Sequence, residues 1–163
     1  MTKQREVSYR ELTIGKAQRR LFIIDGVIGK SALHPAYEHF LDLPYFFADS
    51  DREDTGHVKH LVYYFNKEDR DSQPLLHTLS CIARNFLSER GIRCGKLSRT
   101  YANFNLFGDF QFAHEDGEGW TALVFMNEKW HADWGGEFLA YDDEKPIELA
   151  FAIPPKARTN GYL

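Results

Sequence analysis

The chain has 163 residues, 43% of them hydrophobic and 27% charged, with 12 Gly and 6 Pro. That composition excludes collagen-like, low-complexity and wholly disordered chains, and a chain of this length buries roughly 70% of its unfolded surface, enough for one core. Twenty Lys and Arg against 24 Asp and Glu leave a net charge of −4, which supplies no strongly basic face for nucleic acid.

The N-terminus, Met1-Thr2-Lys3-Gln4-Arg5-Glu6, leads into no apolar segment of a secretory signal. The first apolar run, Leu21 to Asp25, reads as a buried strand closed by a turn at Asp25-Gly26. It is far below the ~20 residues that span a bilayer, so no membrane partner is expected. Ser31 to Leu41 reads as a short helix containing Pro35. Ala48 to Gly56 is polar and acidic and reads as a surface loop, and the alternation from Val58 to Tyr64 as a strand. From Gln73 to Arg90, the residues Leu75, Leu76, Leu79, Ile82, Ala83, Phe86 and Leu87 form one helical stripe. Asp71 or Ser72 can cap that helix, Pro74 suits its first turn and Gly91 its exit. Cys81 and Cys94 cannot make a disulfide framework, so a reducing cytoplasm is expected.

From Gly95 the texture changes to aromatic-rich strands broken by Gly, Asp and Asn. The expected strands are Leu97 to Leu106, Phe110 to His114, Trp120 to Met126, Glu137 to Tyr141 and Ile147 to Ile153. Short strands at this spacing indicate an antiparallel sandwich or barrel. Residues 1–163 are therefore expected to form one α+β domain, with 1–94 an α/β supporting region feeding an all-β segment over 95–163.

Two of the seven His begin a His-x-Asp triplet, His114-Glu115-Asp116 and His131-Ala132-Asp133. On a strand, positions two apart face one side, and an imidazole plus a carboxylate suits iron(II). His114 and Asp116 end the expected Phe110 strand and open onto Gly117-Glu118-Gly119, where a substrate can approach. His131 and Asp133 lie between Trp130 and Trp134 and read as a polar connection between packed indoles.

Three blocks then occur in order: Phe112 to Asp116, Thr121 to Trp130, and Trp134-Gly135-Gly136-Glu137-Phe138. Together, across about Arg99 to Pro155, they resemble the iron(II)/2-oxoglutarate-dependent dioxygenases of the prolyl-4-hydroxylase-like branch, with Met126 where that branch usually has Leu. The resemblance implies a double-stranded β-helix, or jelly-roll core, supported by the N-terminal helices and left as a partial barrel over 95–163. It also implies Fe(II) held by His114 and Asp116, with 2-oxoglutarate and O₂ as cosubstrates and hydroxylation of a C–H bond as the reaction. The substrate would be an amino acid, a prolyl residue of a peptide or a small metabolite. Tyr101 and Asn103, on one face of the Leu97 strand, are the candidates against 2-oxoglutarate. Phe125 stands where some relatives carry Tyr, so that hydroxyl contact is missing.

The resemblance also calls for a third ligand, a His, and an Arg or Lys anchor downstream of Ile153. No His follows His131. The expectation is a chain truncated before these groups, catalytically weak or inactive as it stands, with self-association through an open sheet edge. The alternative, from another class, is a non-enzymatic jelly-roll binding module or a decayed gene product.

Overall fold

The computed structural model describes residues 7–142, 148–155 and 160–162. It contains helices and three small antiparallel sheets, so the α+β class holds. Every strand pair among the described residues is antiparallel, and the strands close no barrel there. The chain divides into two compact units, Met1–Glu38 with Ala122–Leu163, and His39–Thr121.

In the first unit, strands β1 (Ser8–Ile14) and β2 (Arg19–Asp25) form a hairpin that sequence reading had left without its first strand. Its turn places Gly15 at φ 64° and Gln18 at φ 54°. Leu21 to Ile24 are all buried, which explains why β2 reads as a continuous apolar run rather than an alternating one. Leu21 and Ile23 pack with Ile153, and Leu12, Ile14, Leu123, Phe125, Phe138 and Phe151 surround them. Helix α1 (Lys30–Leu41) carries Pro35 inside it and runs across the division between the units. Later in the chain, β6 (Leu123–Val124) and β9 (Asn160–Tyr162) extend the hairpin sheet in the order β1-β2-β9-β6. Strands β7 (Phe138–Tyr141) and β8 (Leu149–Ile153) form a separate pair. Part of the expected strand from Ile147 falls outside the described residues.

The second unit holds β3 (Phe46–Phe47), β4 (Leu61–Tyr64) and β5 (Tyr101–Phe104) in the order β3-β4-β5. Val62, at the centre of that sheet, is wholly buried. Helices α2 (Lys67–Ser72) and α3 (Pro74–Ser88) lie between β4 and β5 in sequence. Asn66 caps α2, its side chain accepting the Asp69 amide at 2.8 Å, and the Asp69 carboxylate in turn accepts the Asn66 amide. The proposed caps Asp71 and Ser72 therefore belong to the end of α2, and Gln73 takes the position before α3 without a side-chain cap. The seven stripe residues of α3 are all partly or fully buried, with Leu87 deepest. Gly91 adopts φ 70° just beyond the helix, and the next amide, of Ile92, reaches back to the Leu87 carbonyl at 3.0 Å.

The expected strand Phe110 to His114 does not form; this stretch has no ladder partner and runs as irregular chain. Likewise, the strands expected over Leu97 to Leu106 and Trp120 to Met126 shorten to β5 and β6. Among the described residues, no helix is long and apolar enough to cross a membrane.

Candidate functional site

His114 and Asp116 sit on the irregular segment after β5, in the second unit. With no ladder to hold it, this segment is tied by side chains from the loop that follows β3. The Phe112 amide donates to Asp51 Oδ2 at 2.5 Å, and Arg52 Nη1 donates to the Ala113 carbonyl at 3.3 Å. The Arg52 guanidinium also lies 5.4 Å from the Phe112 ring centre.

The loop is itself anchored to the start of β4. The Ala48 amide donates to the His60 carbonyl, and the His60 amide donates to the Asp49 carbonyl. Arg52 and Thr55 close a short 3-10 turn over Glu53–Thr55. The Ala48 to Gly56 stretch, read as a solvated surface loop, thus buries the Asp51 side chain to 5% exposure. The stretch is otherwise at the surface, with Asp49, Arg52, Glu53 and Asp54 exposed; a carboxylate is buried only when partners replace its water.

Those partners lie on both sides of Asp51. His60 Nε2 is 3.2 Å from Oδ2, although not aligned for a hydrogen bond. His114 Nδ1 is 3.5 Å from Oδ1 and 2.9 Å from the Phe112 carbonyl oxygen. This ring nitrogen therefore faces two acceptor oxygens. Nε2, on the other side of the ring, lies 3.7 Å from Asp116 Oδ1. Arg99 Nη2 donates to that same Asp116 oxygen at 3.0 Å.

The pair can be tested against the metal that the resemblance implies. Two cis ligands about 2.1 Å from one octahedral ion lie about 3.0 Å apart. The observed 3.7 Å is wider, within reach of a small side-chain rotation. Both side chains are about one-third exposed, and Gly117 and Gly119 follow with φ of 86° and 123°. An ion can therefore enter from solvent. His114 and Asp116 supply two donors of the type such an ion takes; among the described residues, no group of three His, Cys, Asp or Glu that could hold a metal ion occurs.

Tyr101 joins this group. It pairs across the sheet with Tyr64, their ring centres 6.0 Å apart, and the Arg99 guanidinium lies 5.4 Å from its ring. Burial first, and the Asp116 charge second, push the Tyr101 phenol above its ordinary range. Tyr64 donates its hydroxyl to Asp49, and burial together with that bond pushes it up to about 12. Asn103 sits two positions along β5 from Tyr101, at an exposed position.

The other triplet behaves as a connection. His131 and Asp133 are exposed, and His131 Nδ1 accepts the Asp133 amide at 3.3 Å to start a 3-10 turn over Ala132–Trp134. Trp130 Nε1 donates to the Gly135 carbonyl at 2.8 Å.

Sequence reading missed Asp51 and the pairing of Arg99 with Asp116, and it set His60 aside. No local signal marks Asp51, because Phe112 and His114 lie about sixty positions away along the chain. Arg99 had a signal: it shares the period-two face with Tyr101. In comparisons with known proteins, no family model matches the chain, and no curated protein or solved structure is significantly similar to it.

Proposed function

We propose that the chain carries part of the site of an iron(II)/2-oxoglutarate-dependent hydroxylase of the prolyl-4-hydroxylase-like kind, on a jelly-roll core, with His114 and Asp116 as two of its iron ligands and weak or no turnover from these two alone. One observation carries the reading. An imidazole nitrogen of His114 and a carboxylate oxygen of Asp116, two residues apart, face each other across 3.7 Å. A nitrogen and a carboxylate oxygen so placed are a donor pair that suits iron(II).

When bound, iron with 2-oxoglutarate and O₂ supplies the oxidising chemistry: succinate and CO₂ leave, and a substrate C–H becomes C–OH. The remaining work belongs to the chain. Asp51 and the Phe112 carbonyl orient the His114 ring. Tyr101 offers a phenol hydroxyl as a hydrogen-bond donor to a carboxylate. Asn103 is the second candidate for that cosubstrate. Arg99 brings a positive charge beside the site that suits an anionic ligand. The substrate is an amino acid, a prolyl residue or a small metabolite. A reducing, cytoplasmic setting accompanies the reading and agrees with Cys81 and Cys94 being free thiols. Self-association through outer strands such as β1 or β5 belongs to the same reading and is measured by sedimentation.

The test is anaerobic addition of Fe(II) and 2-oxoglutarate to the purified chain. A visible charge-transfer band that disappears in Asp116→Ala and in His114→Ala supports the reading. No band, or a band indifferent to both substitutions, overturns it.

A further inference from the structure

We infer that Asp51 is a positioning residue for His114: its buried carboxylate selects the tautomer that leaves Nε2 bare and fixes the direction in which that nitrogen points. The inference rests on the reading of His114 as a metal ligand. A metal-bound imidazole commonly donates its other N–H to a carboxylate or carbonyl, which fixes the tautomer and raises ligand basicity. Here Nδ1 meets one of each, the Phe112 carbonyl at 2.9 Å and Asp51 Oδ1 at 3.5 Å. The first is the hydrogen bond; the second is a charge placed on the protonated side of the ring.

The two oxygens of Asp51 divide the task. Oδ2 accepts the Phe112 amide at 2.5 Å and faces His60 Nε2 at 3.2 Å, while Oδ1 is the atom turned to His114. One carboxylate therefore holds both the backbone two residues before the ligand and the ligand ring. Since this segment has no strand ladder, Asp51 supplies part of the order that a sheet would otherwise give it.

That division predicts what an isosteric substitution does. In Asp51→Asn, the amide carbonyl must take the Oδ2 place, because only an acceptor satisfies the Phe112 amide. The NH₂ group then falls in the Oδ1 place and presents hydrogens to His114 Nδ1. A donor there favours the opposite tautomer, with the proton on Nε2, where it blocks a metal. The same exchange of Asp for Asn beside a catalytic His disables serine proteases through the wrong tautomer.

The experiment uses the full chain and two readouts. Nitrogen chemical shifts of the metal-free protein report the His114 tautomer directly. Titration with Co(II), followed by its visible d–d absorption, reports ligand binding, with thermal unfolding checked in parallel. The expectation is an Nδ1–H tautomer in the parent chain, a shift toward Nε2–H in Asp51→Asn, and Co(II) affinity lower by about 10- to 100-fold. Asp116→Ala and His114→Ala serve as the reference. If they leave Co(II) binding intact, the metal reading itself fails. If they abolish it while Asp51→Asn changes neither tautomer nor affinity, the role of Asp51 is overturned alone. Should Asp51→Asn not fold, the parent chain decides, since an Nε2–H tautomer in it overturns the inference.

Discussion

Removing the Arg99 guanidinium should strengthen, not weaken, metal binding at His114 and Asp116. Arg99 Nη2 holds Asp116 Oδ1 at 3.0 Å, the same oxygen that lies 3.7 Å from His114 Nε2. An incoming cation must displace or share that bond. The Arg99 side chain is 54% exposed, so the pair belongs to the weak class of solvent-screened bridges, worth about 0.2–1 kcal/mol. Converted to affinity, that competition is about 1.4- to 5-fold, and the lost repulsion between guanidinium and ion acts in the same direction. Arg99→Ala should therefore bind Co(II) more tightly by a factor in this range, with little change in thermal stability. The gain should shrink as salt is raised toward 1 M, where screening extends only about 3 Å. Calorimetric titration at low and high salt measures both. Weaker binding in Arg99→Ala at either salt would refute the reasoning, because it would mean that Arg99 supports the ligand geometry rather than competing for it.

Val62 is wholly buried at the centre of the β3-β4-β5 sheet, so Val62→Ala should cost about 2 kcal/mol in urea unfolding. Tyr64 is pushed up to about 12 by burial and by its bond to Asp49, so the folded state holds this proton more tightly than the unfolded chain. Its contribution is fully present below pH 10 and is lost as pH rises toward 12; Tyr64→Phe should flatten that decline in thermal melts, and an equally steep decline would contradict it. Because the phenol is partly exposed, solvent screening keeps the effect small. Gly135 adopts φ 66° and ψ −155°, a region nearly restricted to glycine, and its carbonyl receives the Trp130 indole. Gly135→Ala should lower stability by about 1–3 kcal/mol and alter Trp130 fluorescence.

Elements whose stabilising contacts are periodic along the chain were legible in the sequence. The α3 stripe runs through every partly buried turn of the helix as its spacing predicts, and the unbroken apolar run of β2 corresponds to a strand buried on both faces. His114 and Asp116 were legible as a pair because two residues of separation bring them close even without a regular strand. The Phe110 to His114 strand was misread because alternating aromatics promise a ladder, whereas the amide of Phe112 and the carbonyl of Ala113 are satisfied by Asp51 and Arg52. The Ala48 to Gly56 loop lies at the surface as its composition predicts, but the buried Asp51 side chain within it was not legible. The loop's composition is that of a surface turn, and composition cannot separate a hydrated Asp from one whose partners are His60, just before β4, and the segment beyond β5. Strand β1 escaped notice because it is largely exposed, so its identity depends on pairing with β2 rather than on an apolar face.

The position of Asp51 bears on why this loop is built as it is. Burying a carboxylate is costly, and a buried ion pair is a poor source of stability compared with apolar residues of similar volume. If stability alone shaped the loop, an apolar side chain packed between β4 and Phe112 would serve as well. What an apolar residue cannot do is accept the Phe112 amide and present an oxygen to His114 at the same time. Arg52 follows the same logic one position later, where it caps the Ala113 carbonyl and lies against the Phe112 ring. Two adjacent residues of opposite charge thus hold three successive residues of irregular chain, ending at the imidazole. The irregular chain lets Asp116 approach the Nε2 side of the ring, and the clasp from Asp51 and Arg52 restores the order lost with the ladder.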